Sequence, residues 1–260
     1  MIENYIFYDS PVPYKGLKIY PIKVLDYLMF SVYSQCFLIE KNYTRDASII
    51  SMTDLEYLYS STEKDTETYP YLLYFDRLLS LCLKEDESFD KIENSIDRYK
   101  YDDNGKPFFE ISGEKYTNKD FNKIKEIVCE QNLVDLPDFS ISKEVRDSLE
   151  KALEYRRKHD GGKTGSFEDY MISLSISTGW TMDYIHSLTI RKFIKSIQRL
   201  DNLIHYKIYL SASMSGFVDY KDTSFIKHWL TSLDDKDKYA EVSLDLEEVR
   251  NKVSLESAKK

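Results

Sequence analysis

The stretch LTIRKFIKSIQRLDNLIHYKIYLSASMSG, residues 188–216, decides the fold class. Ile190, Phe193, Ile194, Ile197, Leu200 and Ile204 recur every three or four residues, the spacing of one helix face. Thr189 stands where an N-cap is needed, and Gly216 follows a run of small residues that closes the pattern. The spacing predicts an amphipathic helix of about 25 residues. Arg191, Lys195 and Arg199, each four apart, add a second, basic stripe.

That basic helix belongs to an acidic chain of 260 residues with net charge -9. Residues 189–207 carry five bases and one acid, Asp201, while residues 44–94 carry 12 acids and 5 bases. Hydrophobic residues at 42% and aromatics at 14% are too abundant for a disordered chain. Gly (8) and Pro (6) are scarce, which favours long regular elements over a β-sandwich or glycine-rich phosphate loops. The acidic balance disfavours nucleic acid and membrane surfaces as partners. No segment approaches the roughly 18 apolar residues of a membrane span.

Upstream, residues 5–22 alternate around Pro11 and Pro13, which forbid a helix and predict a β hairpin or extended arm. Residues 23–41 turn helical, with Val24, Tyr27, Leu28, Val32, Cys36 and Ile39 on the expected inner face. A helix over 52–59 starts near Thr53, and Pro70 opens another through Tyr74, Leu78, Leu81 and Cys82. TEKDTET (62–68) reads as a loop, and the acids at 85–87 end the helix before it. NSIDRYKY and PFFEISGEKYT flank Asp-Asn-Gly at 103–105, a hairpin signal, with a third strand after Ser112-Gly113. Asn118 and Asp120 are expected to cap a helix through Phe121, Ile124, Ile127 and Val128, with a connector over 132–140.

A further helix starts at Ser142 and ends in the basic run 155–158. HDGGKTG (159–165) reads as a hinge, because its glycines and lysine are in the wrong order for a phosphate loop. Ser166 and Thr181 are expected caps of the next two helices. TSFIKHWLTSL (223–233) predicts a last short helix anchored by Trp229, followed by a weakly structured charged tail. The expected fold is mainly α with a small β portion: a helical bundle with an N-terminal β hairpin and an inserted β-hairpin region. The expected division is 1–140, 141–233 and a tail over 234–260.

Catalytic signatures are absent from the pattern. His159, His186, His205 and His228 lack metal-ligand spacing, and no nucleophile elbow or cofactor motif occurs. The expectation is a non-enzyme without cofactor or metal. Cys36, Cys82 and Cys129 are odd in number and far apart, which suits buried thiols in a reducing cytoplasm. The short helix and long helix at 181–204 have the order of a helix-turn-helix. Their length, apolar face and acidic surroundings oppose DNA binding, so a nucleic-acid-binding regulator stands as the third reading.

The run SLSISTGWTMDYIHSLTIRKF (173–193) resembles the helical core of tail-assembly chaperones of long-tailed bacteriophages. There, too, a short helix after a polar turn precedes an LT-x-R-x-F-like helix start. HYKIYLSASMSGFVDYKDTSFIKHW (205–229) is similar to structural or assembly proteins of large phages of Gram-positive hosts. The resemblance implies binding of a long helical tape-measure protein while tail-tube subunits polymerise around it, in the host cytoplasm. The residues expected to bind it are Phe193, Ile197 and Trp229, with Arg191, Lys195 and Arg199 steering an acidic helix. The alternatives are that the apolar stripe packs the protein's own core, and that the protein is a virion component (baseplate or tail-completion subunit) or self-associates.

Overall fold

The computed structural model describes residues 2–39, 41, 46–60, 71–84, 98–136, 143–160, 165–216, 226 and 228–233. The fold is mainly helical with two small antiparallel sheets, as the patterning predicts. Two compact units emerge: Met1–Asp138 with Trp180–Ile194, and Phe139–Gly179 with Lys195–Lys260. The first unit therefore takes back residues 180–194, which a linear cut near 140 assigns to the C-terminal part.

Unit 1 begins with α1 (Ile2–Phe7), then β1 (Val12–Tyr14) and β2 (Leu17–Ile19). The hairpin is the expected one. Lys15 and Gly16 both adopt positive φ (42° and 79°), the geometry that joins twisted strands through two residues. Val12, Leu17 and Ile19 point into the core. The helix at 2–7 corrects the extended-arm expectation: Pro11 restricts the chain only from Ser10 onward, and Ile6 gains burial by coiling.

Residues 24–37 also depart from the single helix expected. They form a 3₁₀ turn (Val24–Asp26), α2 (Tyr27–Tyr33) and a second 3₁₀ turn (Ser34–Phe37). A 3₁₀ turn has about three residues per turn, so the phase slips between the ends. Phe30, Cys36, Phe37 and Ile39 are buried, while Leu28 and Val32 of the expected face are 74% and 46% exposed.

Next come α3 (Ala47–Ser51), α4 (Asp54–Ser60) and α5 (Tyr71–Leu83). A reciprocal cap starts α4. The Glu56 backbone N–H donates to Thr53 Oγ1 (3.2 Å), and the Thr53 N–H donates to Glu56 Oε2 (2.6 Å). β3 (Tyr99–Tyr101), β4 (Pro107–Ile111) and β5 (Glu114–Tyr116) form a meander in that order. Its first turn is held by Asp102 Oδ1, which accepts from the N–H groups of Asn104 and Lys106. Buried Asp76 of α5 fastens the entry to β3 through Arg98 Nε (3.2 Å) and the Tyr99 hydroxyl (3.1 Å).

The helix α6 (Asn118–Asn132) is capped by Thr117 and Asp120, not by Asn118. Asn118 instead accepts from the Leu55 N–H of α4 at 3.0 Å. Phe121, Ile124, Ile127 and Val128 face inward as their spacing predicts. The core closes around Phe75, whose ring meets Phe121 at 4.9 Å and Phe109 at 5.4 Å. Cys36, Cys82 and Cys129 are free and buried in this core. Burial pushes the first two thiols well above their usual range and Cys129 up to about 12.

Unit 2 holds α7 (Lys143–Asp160) and α8 (Phe167–Thr178). Ser166 caps α8 by accepting from the Asp169 N–H, and Gly179 (φ 75°) ends it. Helix α9 (Met182–Ser187), capped by Thr181, follows in unit 1. Helix α10 (Ile190–Met214) starts there too, and its residues from Lys195 onward belong to unit 2. The expected helix over 223–233 is corrected in part: His228–Leu233 forms turns and bends. The Leu230 N–H donates to His228 Nδ1 (3.2 Å) and the Thr231 N–H to the His228 carbonyl (2.9 Å), bonds that compete with a helix. The expected loop at 62–68, the acids at 85–87, residues 161–164 of the hinge and the tail over 234–260 lie outside the described residues. Helix α7 takes in His159 and Asp160 of the expected hinge.

Asp120 ties the hairpin to α6. It accepts from the Tyr14 hydroxyl (2.7 Å), Lys15 Nζ (2.5 Å) and the Thr117 N–H (2.8 Å). Burial alone would raise its carboxyl. The hydrogen bonds from Lys15, the Thr117 backbone and Tyr14 outweigh that and hold it at about 2. An unfolded Asp titrates near ~3.9. The stabilisation is therefore present above pH ~4 and lost as pH falls toward ~2. Asp120→Asn should cost about 1–2 kcal/mol at neutral pH, since half-exposed Lys15 is partly screened. It should also flatten the acid limb of stability, read from urea midpoints between pH 2 and 5.

Candidate functional site

The return segment pairs with the start of α2's lead-in turn. Lys23 and Thr189 form an antiparallel bridge, flanked by Val24 N–H to Leu188 O (2.9 Å) and Ile190 N–H to Ile22 O (2.9 Å). Thr189 caps α10 as expected, its Oγ1 accepting from the Lys192 N–H. Lys192 Nζ also meets Asp9 Oδ2 at 2.7 Å. Ile190 and Phe193 are then buried, at 1% and 2% exposure. Arg191 reaches the last turn of α6, where its Nη1 donates to the Glu130 carbonyl (2.8 Å). That carbonyl is among the four a helix end leaves unmet.

The proximal end of the stripe is thus spent on the protein's own fold. Phe193 is core, which removes it from the partner-binding set, and Arg191 is an internal tie. Arg199 is committed as well: its Nη1 donates to the carbonyls of Trp229 and Thr231, both at 2.6 Å. His228 meets the Tyr206 ring edge-on at 5.1 Å. Trp229 is therefore brought to α10, but by its backbone. Ile197 and Lys195 are half-buried on the helix between these fastenings. The three bases do not form one free stripe.

What remains open is the distal part of α10. Ile204 is 45% exposed and Ile208, one turn on, 57%. Leu210 and Met214 make a second pair four apart, also exposed. The sequence reading stopped the stripe at Ile204, although Ile208 continues it at the same spacing. Unit 2 exposes further large apolar groups at Val145, Tyr155, Ile172 and Ile176. Among its described side chains only Arg146 and Leu174 are buried. A second apolar patch lies in unit 1, where Leu25, Leu28 and Met29 are each more than half exposed.

Other features of unit 1 are less suggestive of chemistry. A recess lined by Ser48, Ser51, Glu56, Ser60 and Tyr101 contains three serine hydroxyls. They are spent on Asp46 Oδ1 and on the carbonyls of Ser48 and Tyr57, bonds of helix caps and turns. Among the described residues, no group of three or more His, Cys, Asp or Glu is placed to hold a metal ion. No helix among them is long and apolar enough to cross a membrane.

Residues 158–234 match the YomV second domain. This is a phage-type family, and the chain is that of a phage-related protein. No curated protein and no solved structure matches it. The YomV-type segment takes in the end of α7, all of α8, α9 and α10, and the turn at 228–233. It therefore contains the open apolar face of α10.

The two ends of the stripe should behave oppositely on substitution. Phe193→Ala should destabilise the protein by about 3–5 kcal/mol. Ile208→Ser should change stability by no more than about 0.5 kcal/mol. Urea unfolding monitored by circular dichroism measures both.

Proposed function

We propose that the protein is a phage tail-assembly chaperone that captures a helical segment of a tape-measure-type protein on the distal face of α10. The observation that carries this reading is the exposed pair Ile204 and Ile208, one turn apart on α10 within the YomV-type segment, with Leu210 and Met214 exposed on another side of the helix. Each such side chain gains about 1.5–3 kcal/mol on full burial, so a partner helix laid along the pair has a strong apolar incentive. The association cost absorbs part of that gain. A second support is the small number of buried groups in unit 2, whose described helices fully bury Leu174 alone among their described apolar side chains.

Charge sets the kind of helix. From Arg191 to Lys207, α10 carries five bases and one acid. Arg191 and Arg199 are tied to carbonyls, yet hydrogen bonding leaves their charge in place. This local excess of bases favours an acidic partner. Tail-tube subunits are then indirect partners, assembling around the tape measure while it is held. The host cytoplasm is the place of action in this reading.

The virion-component reading relied on a free N-terminal arm. Val12, Leu17 and Ile19 of that arm are instead buried against their own unit, which favours the chaperone. Co-expression with the tape-measure-type protein of the same phage tests the proposal. The wild type should co-purify with it, and Ile204→Glu combined with Ile208→Glu should weaken capture by about tenfold or more without shifting the melting temperature. Stoichiometric presence of the protein in purified virions, read by mass spectrometry, would overturn the chaperone role.

A further inference from the structure

The phase slip around α2 turns an apolar stripe of unit 1 outward. Leu25, Leu28, Met29 and Val32 are 68%, 74%, 58% and 46% exposed. They stand three, one and three residues apart, the spacing of one stripe along the Val24–Asp26 turn and α2. Val24 and Phe30 of the same two elements are buried, so the core is already supplied and the stripe is surplus to it. Together the four side chains expose roughly 400 Å² of apolar surface, the size of a patch that on a monomer is often functional.

Charge narrows what this face can meet. Residues 27–39 contain no Asp, Glu, Lys or Arg, in a chain of which 31% is charged. A charged partner surface would bury its own charges here without a counterpart. A second copy of the same face opposes no like charges when it meets the stripe. The order of the side chains suits such a pairing. With two copies of α2 antiparallel about a two-fold axis between Leu28 and Met29, Leu28 of each copy meets Met29 of the other, and Leu25 meets Val32. Every contact is then made twice, as an isologous interface requires.

The area is of the right order. Two copies of the stripe bring roughly 800 Å² of apolar core to an interface class that begins at about 1,200 Å². Exposed Lys23 and Gln35 and half-buried Ser31 border the stripe in sequence and supply a polar rim for the remainder. We propose that the protein forms a two-fold dimer through the outer face of the Val24–Asp26 turn and α2. This face belongs to unit 1, whereas Ile204 and Ile208 belong to unit 2, so the dimer does not rest on partner capture by α10. An interface near the lower size limit dissociates on dilution.

Sedimentation velocity of the full chain over a dilution series tests this. Wild type should pass from dimer to monomer as it is diluted. Leu28→Glu combined with Met29→Glu should weaken the dimer by at least about hundredfold and leave the melting temperature unchanged, since both side chains lie outside the core. Leu28→Ser combined with Met29→Ser gives the same readout should the glutamates impair folding, with a loss of about tenfold. Ile204→Glu combined with Ile208→Glu should leave the dimer intact. A wild type that stays monomeric at the highest concentration reached overturns the proposal, since the stripe then serves another occupant. So does a dimer that both substitutions at 28 and 29 leave intact, or one that the α10 substitutions dissolve.

Discussion

The structure depends on the burial of the first turn of α10. Ile190 and Phe193 are sealed in unit 1, and the Lys23–Thr189 bridge and the Arg191–Glu130 hydrogen bond fix the helix start from both sides. Two turns on from this start, Arg199 adds a fastening of its own through the carbonyls of Trp229 and Thr231. The apolar spacing of α10 continues to Ile204 and Ile208, which are exposed. One element thus differs along its length, buried at the start and exposed further on.

Much of this was legible in the sequence, where a local signal had no competitor. Ser166, Thr181 and Thr189 cap the helices they were expected to cap, because a hydroxyl before an apolar period satisfies N–H groups whatever the tertiary context. The turns at 103–105 and 112–113 formed as read, since their glycines take the positive φ that the turns require. The inner face of α6 was readable because its period is uninterrupted. The region 24–37 was not, because two 3₁₀ turns reset the phase in a way no spacing rule contains. Thr117 was overlooked as a cap because Asn118 and Asp120 offer equally good side chains one and three positions later.

The site was less legible than the fold. The stripe at 190–204 was visible, but its division into a buried start and an open end is a matter of which residues another part of the chain happens to reach. Arg191 and Arg199 look alike to Lys195 in the sequence. In the fold each guanidinium finds a backbone carbonyl that the sequence gives no means of pairing with it. The exposed Leu28 and Val32 of unit 1 show the same difficulty from the other side: residues that read as core lie outside it.

The fastening of the chain after α10 has a bearing on how this segment tolerates change over time. Arg199 grips main-chain oxygens at 229 and 231, atoms that every amino acid supplies. The residue types at those two positions can drift without loosening the return. Position 199 has no such latitude: lysine carries a compact ammonium on a different stem and cannot reproduce the planar guanidinium. Divergent members of such a lineage would keep the arginine while the sequence it holds becomes unrecognisable.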